Sequence, residues 1–190
     1  AKIVEIFDAK SVSFVSVTQA FNTTSSMGRL TLNMLLSFAQ FEREVIGERI
    51  RDKIAASKKK GMWMGGLVPL GYEPNGRTLI SNEAEAETIR TLFRLYLEHG
   101  TAKALRDEAN RRGLTTKRQC RADGRETGGG PITRGNLYNL LANPLYIGQV
   151  SHKGTLYPGQ HEAIVDGDTF AAAKRQLTGN TVGRRLASNA

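Results

Sequence analysis

Apolar and polar positions change rhythm repeatedly along this chain, and each change predicts an element. The longest pattern runs from Ser25 to Gly61, free of proline, with Gly28 and Gly47 as its only interior glycines. It predicts one helix over 26–60, roughly 50 Å long at about 1.5 Å per residue. Thr24, Ser25 or Ser26 can cap its start, and Lys58, Lys59 and Lys60 followed by Gly61 suit the negative end of the helix dipole and a stop. From Met27 to Ile46 the apolar residues, among them Leu30, Met34, Leu35, Phe38 and Phe41, fall on more than one face. A helix apolar on several faces needs cover on several faces, expected here from its own domain on one side and a partner chain on the other. Beyond Ile46 only Ile50 and Ile54 keep a stripe, so the second half reads as a solvated rod.

Shorter patterns fill the rest. Ile3, Ile6 and Phe7 share a face of a short helix over 1–9; residues 12–17 alternate as a half-buried strand; 18–26 read as a polar loop. Glycine, proline and Asn75-Gly76 punctuate 61–81, predicting a hairpin with strands at 68–72 and 77–80 and with Trp63 and Tyr72 in the core. Residues 82–98 form an amphipathic helix, capped by Asn82 and striped by Ile89, Leu92, Phe93, Tyr96 and Leu97. A second helix over 101–112 buries Ala102, Leu105 and Ala109. A polar loop follows over 114–131, and a third helix over 132–142 turns Ile132, Leu137, Leu140 and Leu141 inward. Residues 145–165 read as a small hairpin turning at Lys153-Gly154 and Pro158-Gly159, 167–177 as a helix, and 179–190 as a flexible tail whose Arg184 and Arg185 are available to phosphate. The fold class is α+β, mostly helical: the end of an α/β domain over 1–60, a mixed domain over 61–178 and the tail.

Charge sharpens this division. The 190 residues carry +9, yet residues 1–50 hold five basic and five acidic side chains, so the whole excess lies beyond them. A basic second module fits a polyanionic partner, and equally a solvated surface kept for solubility. The single cysteine, Cys120, excludes an internal disulfide, and a reducing cytoplasm fits. His99, His152 and His161 lack metal-ligand spacing, and no apolar run is long enough for a membrane span. Ala1 opens the chain in what reads as mid-helix, so an excised piece of a longer protein is expected.

Candidate chemistry lies in two places. Helices 101–112 and 132–142 fit a helix-turn-helix-like pair, although the long loop between them departs from a tight turn. Its second helix would offer Arg134, Asn136 and Tyr138 to DNA, arginine suiting guanine and asparagine suiting adenine. Lys117, Arg118, Arg121 and Arg125 in the loop, with Lys58, Lys59 and Lys60, would track phosphates. Ordinary exposed polar residues would look the same. The second place is the long helix, where Glu42, Arg43, Glu48 and Arg49 form either surface salt bridges or a phosphate clamp.

Whole segments resemble a known family. Ser16-Val17-Thr18, Thr23, Gly28-Arg29-Leu30, then Ala39-Gln40-Phe41-Glu42-Arg43 and Glu48-Arg49, look like the last strand and long helix of the serine recombinase (resolvase/invertase) catalytic domain. Pro69-Leu70-Gly71-Tyr72, the 82–100 helix, Asn110-Arg111-Arg112-Gly113, the segment 136–148 and the segment 161–170 are similar to the recombinase domain of the large serine recombinases of phage integrase and transposase type. The resemblance implies site-specific DNA strand exchange and integration through a 5′-phosphoserine link, with four subunits and neither metal nor nucleotide. It implies that Arg43 and Arg49 stabilise the reacting phosphate, that Glu42 and Glu48 orient, and that the long helix carries a homodimer and tetramer interface. The family's Tyr-x-Arg-x-Ser nucleophile segment and its zinc ribbon do not occur in this sequence, and Ile132-Thr133-Arg134 stands where the family often has tryptophan. The chain itself is therefore expected to bind double-stranded DNA in a bacterial or phage cytoplasm, at the nucleoid, without cleaving it. A non-enzymatic DNA-binding regulator dimerised by the long helix, or a module meeting another polyanion, are the alternatives.

Overall fold

The computed structural model describes residues 6, 9–10, 12, 15–16, 21–22, 25–120 and 124–188. The chain divides into two compact units, Ala1–Lys53 and Ile54–Ala190, so the division falls inside the long helix. Mixed helices and two-stranded hairpins give the α+β class, mostly helical.

In the first unit β1 (Val15–Ser16) pairs antiparallel with β2 (Phe21–Asn22), Ser16 opposite Phe21. The stretch read as a loop over 18–26 thus supplies a partner strand, because backbone groups of a lone strand need a ladder close by. The short helix expected over 1–9 and parts of the 12–17 strand lie mostly outside the described residues. Next comes α1 (Ser26–Lys59), as long as its pattern requires. Ser25 Oγ accepts the Gly28 N–H at 3.0 Å, which makes Ser25 the cap. Met27, Leu30, Met34, Leu35, Phe38, Phe41, Ile46 and Ile50 are each more than half exposed.

The second unit begins with the last turn of α1. Gly61, at φ +74°, donates to Lys58 O at 3.0 Å while Met62 donates to Ser57 O at 3.1 Å, a Schellman stop. β3 (Tyr72–Asn75) and β4 (Thr78–Ser81) form a hairpin with Asn75 opposite Thr78. Its two-residue turn is Gly76-Arg77, one residue later than expected. The first strand starts at Tyr72, not at 68, since Gly71 at φ +95° breaks the extended run. α2 (Glu83–His99) is capped by Asn82 and closed by Gly100 at φ +78°, and α3 (Ala102–Arg111) is capped by Thr101. β5 (Gln119–Cys120) and β6 (Glu126–Thr127) pair within the stretch read as an unstructured loop. α4 (Arg134–Leu141) and a 3₁₀ turn (Pro144–Ile147) follow, then β7 (Gln149–His152) and β8 (Thr155–Pro158), joined by Lys153-Gly154. α5 (Gly167–Ser188) closes the chain. The segment expected as a flexible tail is helical to Ser188. Anchors on α2 account for its continuation past 177: Asn180 Nδ2 donates to Gly100 O at 2.8 Å and to Tyr96 Oη at 3.4 Å.

One core joins these helices. Tyr72, Ile89, Leu92, Phe93, Tyr96, Leu105, Leu137 and Leu141 are fully buried, with Tyr146 and Phe170 against them. Leu95 is buried and Leu97 only partly so, a shift of one face from the expected stripe. The Tyr72 hydroxyl donates toward Glu162 O at 2.7 Å and Leu145 O at 3.0 Å, tying the first hairpin to the last loop. Burial pushes the Tyr72 phenol up to about 12 and raises that of Tyr146 as well. Among the described residues no helix is long and apolar enough to cross a membrane.

Candidate nucleic-acid interface

α3 and α4 are stitched together at their junction. The Asn110 carboxamide donates to Ile132 O at 3.3 Å and accepts the Ile132 N–H at 3.0 Å. Leu105 and Ala109 on α3 and Leu137 and Leu141 on α4 are fully buried. The pair is therefore a rigid support whose outer face is the exposed side of α4.

That face carries Arg134, Asn136, Tyr138 and Asn139, all exposed. Arg134 lies over the Tyr138 ring, its guanidinium carbon 6.0 Å from the centroid and Nη2 3.5 Å from the hydroxyl. Asn136 is engaged at its own helix start. Its Oδ1 accepts both the Thr133 N–H at 3.0 Å and the Thr133 hydroxyl at 2.5 Å, while the Asn136 N–H donates to Thr133 Oγ1 at 3.2 Å. This is a capping box, and it occupies the oxygen that a bidentate contact to adenine needs. The Thr-x-x-Asn spacing just ahead of an apolar run was the signal that would have found it.

The basic loop is shaped by the β5–β6 hairpin and by Thr116, which donates to Gly130 O at 2.9 Å and accepts from Gly129 at 3.0 Å. Lys117 turns inward: its ammonium is 2.6 Å from Glu85 Oε2 and its side chain is only 12% exposed. The same carboxylate oxygen accepts the Gly71 N–H at 2.9 Å, so Glu85 and Lys117 hold the loop to α2 and the first hairpin. No sequence signal links residues 32 apart in this way. Arg118 and Arg125 are exposed, and Arg121 lies outside the described residues. Between the loop and α4 runs a cleft of about 320 Å³, lined by Leu67, Gln119, Asn136, Asn139 and Asn143 among others.

Several other cations are neutralised locally. Glu108 holds Arg111 at 2.7 Å and Arg112 at 2.6 Å, and these hydrogen bonds, Arg111's first, lower its carboxyl to about 2. Arg90 is held by Glu83 and Glu87, and Arg106 by Asp107. Lys59 and Lys60 at the end of α1 are exposed, while Lys58 is half-buried and donates to Ser151 O at 3.5 Å.

In the first unit Glu42, Arg43, Glu48 and Arg49 are all exposed on α1. Among the described residues neither arginine is ion-paired to a carboxylate, so the salt-bridged face is not formed. Among the described residues there is also no cluster of three or more histidine, cysteine or acidic side chains fit for a metal.

Comparison with known proteins matches both units. Residues 83–180, just over half the chain, match the Recombinase domain model, and residues 1–63 match Resolvase, N terminal domain. Transposon Tn917 resolvase of Enterococcus faecalis is 35% identical over 57 residues, covering 30% of this chain and 31% of that protein. Serine recombinase gin of Escherichia phage Mu is 37% identical over 74 residues, covering 37% of this chain and 38% of gin. The chain thus spans about a third of the length of the curated relatives it matches. In fold it is similar to a crystal structure of an LSR–DNA complex, with a TM-score of 0.57 and 21% identity over 68% of this chain and 38% of that one.

Proposed function

The chain belongs to the Recombinase family of the serine recombinases, and on that premise we propose that it is the DNA-binding portion of a site-specific recombinase that exchanges strands through a 5′-phosphoserine intermediate. The observation that carries this reading is the exposed face of α4. A helix whose inner side is locked to α3 presents Arg134, lying over the Tyr138 ring, to the outside. In this reading Arg134 and Tyr138 meet base edges and sugar-phosphate in a groove, and Arg118, Arg121, Arg125, Lys58, Lys59 and Lys60 meet phosphates. Lys117 and Asn136 serve the interface from behind, one holding the loop and the other capping the helix.

In the intact enzyme Arg43 and Arg49 stabilise the charge that builds on the phosphate under attack, with Glu42 and Glu48 orienting them. No serine of this sequence stands in a Tyr-x-Arg-x-Ser segment, so the chain alone binds double-stranded DNA and forms no covalent adduct. Copies of it associate through the apolar faces of α1, as dimers and tetramers, and work at the nucleoid in the cytoplasm. Fluorescence anisotropy with a duplex over a salt series tests the binding. Affinity falls linearly in log salt if Lys and Arg displace counterions from phosphates. Affinity indifferent to salt, or no binding at all, overturns the proposal.

A further inference from the structure

The last turn of α1 and the β7–β8 hairpin meet inside the second unit. Gln160 Nε2 donates to Lys60 O at 2.8 Å, Gln160 N–H donates to Gly61 O at 3.0 Å, and Lys58 Nζ reaches Ser151 O at 3.5 Å. Gly61 packs so closely on the backbone of Pro158 and Gly159 that a side chain there would overlap it. Both segments are free of acid: no aspartate or glutamate occurs in 54–72 or in 149–161. Lys58, Lys59, Lys60 and Lys153 therefore sit on one joined body without a carboxylate partner among the described residues. That contrasts with Arg90, Arg106, Arg111, Arg112 and Lys117 elsewhere in the unit.

The hairpin tip carries a second, independent sign. Lys153 adopts φ +50° and Gly154 φ +83°, the two left-handed residues of a type I′ turn. Asparagine, aspartate and glycine favour the first of these positions, and lysine does not. Lys153 is also the non-glycine residue in this region of backbone space among the described residues, and it is exposed. A residue kept where it costs local stability points to use of its side chain.

We infer that the β7–β8 hairpin is a phosphate-contacting arm, Lys153 at its tip and Lys58 at its root binding the backbone of duplex DNA together with the end of α1. The inference rests on the DNA-binding reading above and adds to it a contact apart from the α4 face. It needs only backbone phosphate, so it is independent of sequence.

Lys153→Asn is the decisive variant, because it suits the turn better than lysine and removes only the charge. It is compared with Lys58→Gln and with Lys174→Asn, an exposed lysine on α5, by anisotropy on a mixed-sequence duplex over a salt series. For Lys153→Asn and for Lys58→Gln the slope of log affinity against log salt shrinks by about 0.9 each, which is roughly eightfold in affinity at about 0.1 M salt. Lys174→Asn leaves the slope as in the parent chain. A parent chain that binds steeply while Lys153→Asn keeps its slope overturns the arm and leaves the α4 reading standing. An equal drop for Lys174→Asn also overturns the arm, since the effect is then one of net charge. A parent chain with no salt-dependent binding overturns the DNA reading itself, and the arm with it.

Discussion

Asn136 and Arg134 are two residues apart on the same short helix, yet the structure gives them opposite fates under substitution. Asn136 Oδ1 receives two hydrogen bonds from Thr133, and the reciprocal bond returns to Thr133 Oγ1. Asn136→Ala removes the two bonds to Oδ1 at an exposed helix start, which costs about 1 kcal/mol by analogy with other caps. In a unit of this size that lowers the melting midpoint by about 4 °C. Arg134 makes only a loose contact with Tyr138, so Arg134→Ala costs little stability but removes the group proposed to read a base. A good arginine–guanine contact contributes about 1–3 kcal/mol of discrimination, or roughly 5–150-fold against the wrong base. Thermal unfolding combined with selection of binding sites from randomised duplexes separates the two. Asn136→Ala is expected to melt earlier and select the same sites as the parent chain. Arg134→Ala is expected to melt alike and lose preference at one guanine position. If Asn136→Ala keeps its stability and loses preference at an adenine, the capping argument is refuted.

Alkaline unfolding tests the buried tyrosines. With the Tyr72 phenol raised to about 12, its contribution is fully present below pH 10 and is lost as pH rises from 10 through 12; Tyr72→Phe flattens that part of the profile in urea titrations, and an unchanged profile refutes it. Glu108 works in the opposite sense: its lowered carboxyl stabilises above pH 4.5 and loses that effect as pH falls toward 2, so Glu108→Gln makes acid unfolding less steep there. The exposed apolar side chains of α1 predict concentration-dependent association in sedimentation, weakened at least tenfold by Phe38→Ser, and a monomer at every concentration contradicts this. Arg43→Ala and Arg49→Ala in the intact enzyme are expected to abolish cleavage while leaving the affinity for DNA close to parental; affinity and cleavage falling together would show that the arginines serve binding.

Local chemistry made much of this fold readable. The caps Asn82 and Thr101, the stops Gly61 and Gly100, and the buried face Ala102, Leu105 and Ala109 stand where the pattern puts them, and of the three caps open to α1 the chain uses Ser25. What escaped depends on residues far apart. The Lys117–Glu85 pair joins positions whose sequence contexts are both polar and exposed-looking, so Lys117 looked like any other cation of the loop. The helix beyond 177 escaped because threonine, glycine and asparagine at 178–180 favour stopping. Its hold on Tyr96 and Gly100 arises only once α2 and α5 are packed. Asn136 shows another limit: the same carboxamide suits a cap and an adenine, and the engagement of Oδ1 by Thr133 emerges only in the folded helix start.

On the catalytic role proposed for the arginines of α1, helix geometry explains why they would not act by themselves. Arg43 and Arg49 are six residues apart, so they leave the helix about 120° apart and separated by about 9 Å along its axis. Glu42 and Arg49, seven apart, share a face, but about 10.5 Å of rise separates them. Two guanidiniums set this way converge on a single phosphate only if other groups bring it to one and the backbone or another segment completes the ring of donors around the other. Neither is tied down by a carboxylate among the described residues, so both stay available to be recruited by a charged group arriving from outside the helix. An electrostatic half-site of this kind catalyses nothing until it is completed, because stabilising a pentacovalent phosphate requires donors fixed on several sides at once. On the proposed function, that makes assembly the controlling step. On the proposed association through α1, the helix that exposes Phe38 and Phe41 also carries the arginines, so the contact that covers the apolar faces and the contact that completes the site around Arg43 would form in one event.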